Sequence, residues 1–288
     1  MQKTVYFDMY APYHLVEGED RAMVEQRLNM CDFFQEIAGT ELRNTLHRIN
    51  GERYRFHICR YDENNACWEV QILHLRDVLL PGVADEAGAY EELDLPEGRY
   101  LAESCTIMYD ARNHYIYVQR NKMCITTSRL TDYFREMFPE GTRIYFKPVL
   151  NGNQEQPWGN RTFFRQVELC CYANQVEHLA PNTSLRNLLS GYGAYQGNTI
   201  TISIGMGHRR GTLNPQSTRE LIAQAYETPD MVKLKIKAAE AEDAEYQWIN
   251  LLENRATYHC RIDCERNTRI SHAMLYHACI RAHMRGGN

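Results

Sequence analysis

Twice before Asn121 the chain runs through an alternating apolar strand, a four-residue polar turn and a second alternating strand. Arg53 to Arg60 and Trp68 to Leu75 flank Asp62-Glu63-Asn64-Asn65, and Ser104 to Tyr109 and Tyr115 to Gln119 flank Asp110-Ala111-Arg112-Asn113. Period-two alternation around Asp- and Asn-rich turns is the pattern of hairpins, so this half of the chain is constrained toward antiparallel sheet. Thr4 to Tyr10, with Val5, Phe7 and Met9 alternating against polar neighbours, reads as a further strand. After Ala11-Pro12 the reading turns helical. Glu19-Asp20 stand at the front, and Met23, Leu28, Cys31, Phe34 and Ile37 make an apolar stripe that stops at Gly39. A shorter helix is expected around Leu42, Leu46 and Ile49. Pro81 to Gly98, with six acidic residues, reads as a surface loop or lid, and Ser128 to Phe138 as a helix capped by Thr127-Ser128. Arg143 to Leu150 is expected to be a strand.

Asn151 to Asn160, rich in Asn, Gly, Gln and Pro, is the expected boundary between an N-terminal α+β domain (1–150) and a C-terminal α/β-type domain (161–288). Beyond it, strand patterns at Val167–Tyr172, Thr199–Met206, Met231–Ala238 and Thr257–Asp263 alternate with helix patterns. The helices are expected at Ser184–Tyr192, Ser217–Tyr226, Tyr246–Glu253 and Ile270–Arg285. Short links and upstream hairpins favour an α+β fold with mixed, largely antiparallel sheets, packed helices and two sub-domains.

At 288 residues the chain can bury a sizeable core. A net charge of −5 argues against a surface that is wholly a nucleic-acid footprint, while leaving room for a local basic patch. No signal-peptide pattern opens the sequence, and no run approaches the roughly 20 apolar residues that span a bilayer. Ten cysteines without framework spacing read as reduced thiols, so a cytoplasmic protein with no membrane insertion is expected.

Chemistry concentrates at the C-terminus. Seven of the 21 Cys and His residues fall between His259 and His283. Zinc takes four N or S ligands, usually as two close pairs. Cys279 and His283, one helical turn apart, supply one pair, and Cys260 with Cys264 would supply the other. Cys260 and Cys264 sit on a strand pattern about 13 Å apart, so the set closes only if the chain turns near Asp263. The competing reading is an amphipathic helix with Tyr276, Cys279 and Ile280 inward. Gly205-Met206-Gly207-His208-Arg209-Arg210-Gly211 offers backbone access and donors for phosphate through His208, Arg209 and Arg210, against the alternative of a solvated loop tip. It matches neither the dinucleotide fingerprint nor the Walker A pattern. Gln119, Arg120 and Asn121, at a strand end, are candidates for nucleotide, phosphate or peptide contact or for satisfying the local backbone. Asp62 with Glu69-Val70-Gln71 has restriction-nuclease spacing but lacks the lysine such a site requires. No Gly-x-Ser-x-Gly, His-Glu-x-x-His or protein-kinase motif occurs.

Glu103 to Asp110, Tyr115 to Asn121, the following Ser-capped helix ending in Tyr133-Phe134, and the Lys-rich strand Lys233–Lys237 form one ordered block set. It resembles uncharacterised bacterial proteins of mobile elements and phage-defence neighbourhoods, and loosely the soluble component of the Kiwa system. That resemblance implies an antiviral or mobile-element setting and supplies no active site to carry over. With a complete globular pattern and no recognisable catalytic constellation, the expectation is a non-catalytic or weakly catalytic binding protein. It would work with itself or another protein subunit and contact nucleic acid through basic loop tips. A metal-dependent enzyme acting on nucleic acid and a phage structural protein are the alternatives.

Overall fold

The computed structural model describes residues 1–17, 23–49, 51–78, 80–121, 123–139, 142–150, 156–172, 183–191, 199–228, 231–241, 244–266 and 268–286. The fold is α+β, and every strand pairing whose register is resolved is antiparallel. Strands β1 (Gln2–Glu17) and β2 (Met23–Arg27) precede helix α1 (Cys31–Gly39), a 3-10 turn (Glu41–Asn44), and strands β3 (His47–Ile49), β4 (Glu52–Asp62) and β5 (Cys67–Arg76). A short ribbon of β6 (Gly82–Ala84) and β7 (Tyr90–Glu92) leads to β8 (Leu101–Asp110), β9 (Tyr115–Gln119), helix α2 (Thr127–Arg135) and β10 (Arg143–Pro148). Then come β11 (Phe163–Tyr172), α3 (Ser184–Ser190), β12 (Thr199–Gly205), α4 (Pro215–Glu227), β13 (Lys233–Ala239) and β14 (Gln247–Asn250). A 3-10 turn (Leu251–Asn254), β15 (Thr257–Asp263) and α5 (His272–Gly286) complete the order.

The chain divides into two compact units. The first comprises residues 1–8, 12–145 and 258–288, and the second residues 9–11 and 146–257. The C-terminal strand β15 and helix α5, expected in a second domain, thus belong to the first unit. Asn151 to Glu155 of the expected boundary lie outside the described residues.

In the first unit the sheet runs β10-β1-β9-β8-β5-β4-β3, with β2 and β15 also pairing to β1. Strand β5 lies between β8 and β4 and is buried along nine of its ten residues, because both of its faces are covered. On one face, Phe33 and Phe34 of α1 meet Phe56, Trp68, Tyr109 and Phe134 at ring-centroid distances of 5.2–6.5 Å. Each such ring stabilises the fold by about 3–5 kcal/mol relative to Ala. On the other face, α5 buries Leu275, Tyr276, Cys279 and Ile280. In the second unit the sheet order is β12-β11-β13-β14. Leu185 and Leu189 of α3 and Leu221, Ile222 and Ala225 of α4 pack with Val167, Leu169, Leu234 and Ile236 of that sheet.

Three helix expectations are corrected. Residues 11–17 continue β1, and 23–27 form β2, which pairs with β1 (Val16 opposite Val24), so only Cys31–Gly39 is helical. The apolar positions have helical spacing, but strand pairing outweighs it. Glu19 and Asp20 lie outside the described residues. The segment around Leu42 to Ile49 is one 3-10 turn followed by β3. Tyr246 to Glu253 is not a helix either. Its Gln247–Asn250 pairs with β13, where β-favouring Trp248 and Ile249 sit on a pleated edge.

Candidate functional site

The C-terminal helix answers what its cysteines and histidines do. Residues His272, Tyr276 and His283 lie along one side of α5, and each meets a carboxylate of the sheet. His272 Nε2 lies 3.0 Å from Glu69 Oε1, within ion-pair reach but off the line of a straight hydrogen bond. Its Nδ1 is 2.8 Å from Thr106 Oγ1. The Tyr276 hydroxyl donates to Asp62 Oδ2 at 3.0 Å. His283 Nε2 is 3.2 Å from Asp110 Oδ2, and its Nδ1 is 2.8 Å from the Tyr117 hydroxyl.

The carboxylates are held in place by the hairpins. Asp62 Oδ1 accepts the amides of Asn64 and Asn65, and Oδ2 accepts the Asn65 side-chain amide. Asp110 repeats the arrangement with Arg112, Asn113 and the Asn113 side chain. Glu69, 3% exposed, also accepts Arg60 Nε at 2.6 Å. Burial alone pushes the Glu69 carboxyl up, but the nearby His272 and the bonded Arg60 outweigh it and hold its pKa below the ordinary value. Burial likewise raises Asp110, and the bonds from His283, Asn113 and the turn amides overcome it, leaving its pKa well below the usual range.

The proposed zinc set is not brought together. The Cys260 thiol donates to the Ala278 carbonyl at 3.1 Å, and Cys279 is fully buried with its pKa pushed well up by desolvation. Cys264 sits at the chain's edge, exchanging backbone hydrogen bonds with Met1. His283 has both ring nitrogens engaged. Among the described residues, no group of three or more His, Cys, Asp or Glu side chains is arranged to hold a metal ion. Helical and strand spacing alone could not reveal this, because the competing partners Asp110 and Tyr117 lie far away in sequence.

The strand-end triplet is also internally used. Gln119 Oε1 accepts the Thr106 amide at 2.9 Å. Arg120 forks onto Asp8 and lies over the Tyr6 ring. Asn121 Nδ2 donates to the Ser104 carbonyl at 2.9 Å.

The basic loop is placed differently. His208, Arg209 and Arg210 are all exposed, with Gly207 and Gly211 at φ +58° and +116° turning the chain. The helix that follows starts at Pro215, nearer than expected, capped by Asn214, whose Oδ1 accepts the Ser217 amide. Arg165, at a bulge of β11, donates to the Arg209 carbonyl at 3.2 Å and lies 5.9 Å from the Tyr246 ring. It thereby ties the loop to the start of the β14 segment.

Beside that loop lies a surface the candidate residues did not include. Strand pairing sets Lys237 opposite Gln166 and Trp248, Lys235 opposite Glu168 and Asn250, and Lys233 opposite Cys170. Directly opposed residues share a face. The core residues Leu234 and Ile236 point to the helices, so this row of three lysines is on the other side, the side without α3 and α4. Trp248 is 46% exposed there. Lys233 pairs with Glu168 at 2.5 Å. The Lys235, Lys237, Arg209 and Arg210 side chains have no ion pair among the described residues. The alternation Lys233-Leu234-Lys235-Ile236-Lys237 was visible in the sequence. Which flank lay open was not, since that depends on the helices.

Fold and surface together define a two-unit antiparallel α+β protein whose second sheet is covered on one face and basic on the other. The chain belongs to a family of unknown function, DUF6731, whose profile matches residues 1–285. A comparison with curated proteins finds no match. No helix among the described residues is long and apolar enough to cross a membrane.

Proposed function

We propose that this protein binds single-stranded nucleic acid on the open face of the β12-β11-β13-β14 sheet. The observation that carries the reading is the lysine row Lys233-Lys235-Lys237 with exposed Trp248 directly across from Lys237. Successive lysines on one side of a strand stand about 6.6 Å apart, a ladder of charge for a backbone that runs along it. An exposed indole beside such a ladder gives a base a surface to stack on, and stacking accepts any base. The loop with Arg209 and Arg210 extends the positive surface past the sheet end, while exposed Glu240 and Glu245 bound it at the β13–β14 turn.

Several buried groups that a catalyst could use are engaged within the fold, which favours binding over catalysis. Both ring nitrogens of His74 and His283 already have partners, and His272 is held between Thr106 and the Glu69 carboxylate. Burial pushes the thiols of Cys67 and Cys124 up to about 12, far from nucleophilic at neutral pH. Recognition of single strands suits a bacterial defence or mobile-element setting, with a partner subunit or further copies completing the assembly.

Fluorescence anisotropy with a short labelled oligothymidylate, from about 50 to 200 mM salt, tests this. The four cations without an ion pair among the described residues predict a log–log slope of about −3, and Lys235→Ala with Lys237→Ala should shallow it by about 1.4. Trp248→Ala should weaken binding by about 1–3 kcal/mol. The other two tryptophans, Trp68 and Trp158, are buried, so bound oligonucleotide should quench mainly the exposed indole emission. Binding with the same slope in the double-lysine variant, or no binding, overturns the reading.

A further inference from the structure

The first unit has a cavity of about 280 Å³ at the ends of β4 and β5, on the turn that carries Gly51 and beside Met123. Its charged lining is nearly all paired. Glu52 holds the buried His74, whose Nδ1 lies 3.1 Å from the Met123 carbonyl, and Arg53 pairs with Asp77. Arg76 is the exception. Its side chain has no hydrogen bond or ion pair among the described residues, and its Nε is shielded from solvent with no acceptor. The Nε atoms of Arg27, Arg55, Arg219 and Arg255 are shielded in the same way, so what marks Arg76 in this cavity is that its terminal nitrogens have no acceptor among the described residues. A guanidinium satisfies its fork best with a planar or tetrahedral oxyanion, bound through two parallel N–H bonds. Around it, Leu75 supplies apolar surface inside, and Val78 and Met123 are exposed at 67% and 53%.

We propose that this cavity is a binding site for a small oxyanion, with the Arg76 guanidinium as its anchor and Leu75, Val78 and Met123 against any apolar part of the ligand. The site is independent of the basic sheet, which belongs to the other unit. Two sources share this chemistry, a short-chain carboxylate and inorganic phosphate, and the apolar lining predicts that the carboxylate binds better as its chain lengthens.

The test is an amide-resolved NMR titration of the full-length protein with acetate, butyrate and inorganic phosphate in turn. Saturable shifts are expected at Gly51, Arg53, Asp77 and Val78, with butyrate saturating several-fold below acetate if the natural ligand is an apolar carboxylate. Tighter phosphate binding would assign the site to phosphate instead. Arg76→Met, which keeps the stem and removes the charge, should abolish the shifts while leaving oligothymidylate binding intact. Absence of saturable shifts with all three anions in the unmodified protein overturns the proposal, as do equal shifts in a folded Arg76→Met variant. Neither result bears on the sheet.

Discussion

At the scale of single residues, the telling feature is how the carboxylates under the C-terminal helix are paired. Glu69 is almost fully buried yet lies between His272 and Arg60, so its ionised form survives out of water. Removing one partner of such a pair leaves an uncompensated charge, and His272→Ala should cost about 3–5 kcal/mol in chemical denaturation. Replacing both, as His272→Leu with Glu69→Leu, should cost markedly less than the two single changes summed, because no orphaned charge remains. Additive losses would show that the pair does not act as a unit. The pKa directions give a second expectation. Glu69 and Asp110 are both held below their ordinary values in the folded chain. The unfolded chain therefore binds more protons near pH 4, so stability rises with pH in that region. The contribution is present in full above the unfolded value of about 4 and is lost as pH falls toward the lower folded values. Asp110→Asn should cost about 1–3 kcal/mol at neutral pH, and thermal unfolding should show its gap to the parent protein narrowing toward pH 3. A gap that stays constant with pH would mean that charge is not what Asp110 contributes.

Elements explain why those carboxylates sit where α5 can reach them. The β4–β5 and β8–β9 turns are built alike. In each, an aspartate accepts two turn amides and an Asn three residues on, and the residue after that Asn takes a left-handed conformation. These last residues are Ala66 at φ +53° and His114 at φ +55°. Cys67 is paired with both Asp62 and Asp110, so the two turns end side by side on one flank of the sheet. Helix α5 then meets one through Tyr276 and the other through His283. The left-handed position is costly for alanine, about 1–2 kcal/mol, whereas His114 is compensated by a 2.8 Å contact to the Tyr109 hydroxyl. Ala66→Gly should therefore stabilise the protein by about 0.5–1 kcal/mol after allowing for glycine's extra chain entropy, read as a rise in the melting temperature. His114→Gly should destabilise it, since the Tyr109 contact goes with the ring. Equal effects at the two sites would contradict this account of the turns.

For the molecule as a whole, the ten cysteines and the charge distribution follow the layering. None is in a disulfide, and only Cys31, Cys170 and Cys264 are even partly exposed. A thiol-titrating reagent at about pH 8 should react promptly with no more than these three in the native protein, and with all ten once it is denatured. Rapid reaction of six or more would mean that the covered faces open readily. Net charge is −5, yet the open face of the second unit's sheet carries lysines in register, so attraction for an anionic polymer is a property of one face and not of the total.

How much of this was legible follows from the range of the forces involved. The two hairpins, their Asp-led turns and the lysine alternation involve residues close in the chain, so local pattern was enough to read them, and the α+β class was inferred from them. The region from Ala11 to Arg27 misled, because its apolar spacing fits a helix and only pairing between β1 and β2 decides otherwise. The same holds for Gln247–Asn250, which becomes a strand because β13 lies beside it. The C-terminal histidines were conspicuous in composition, but their role depends on Glu69 and Asp110, more than 170 residues upstream. A histidine's partner is fixed by what folding places within about 3 Å of its ring, and sequence spacing carries that information only within one helix or hairpin. The sequence by itself thus determined the hairpins and the chemical kinds of side chain available. Tertiary packing decided which flank of each sheet stayed open and which charges cancelled, because burial and pairing are settled only when distant segments meet.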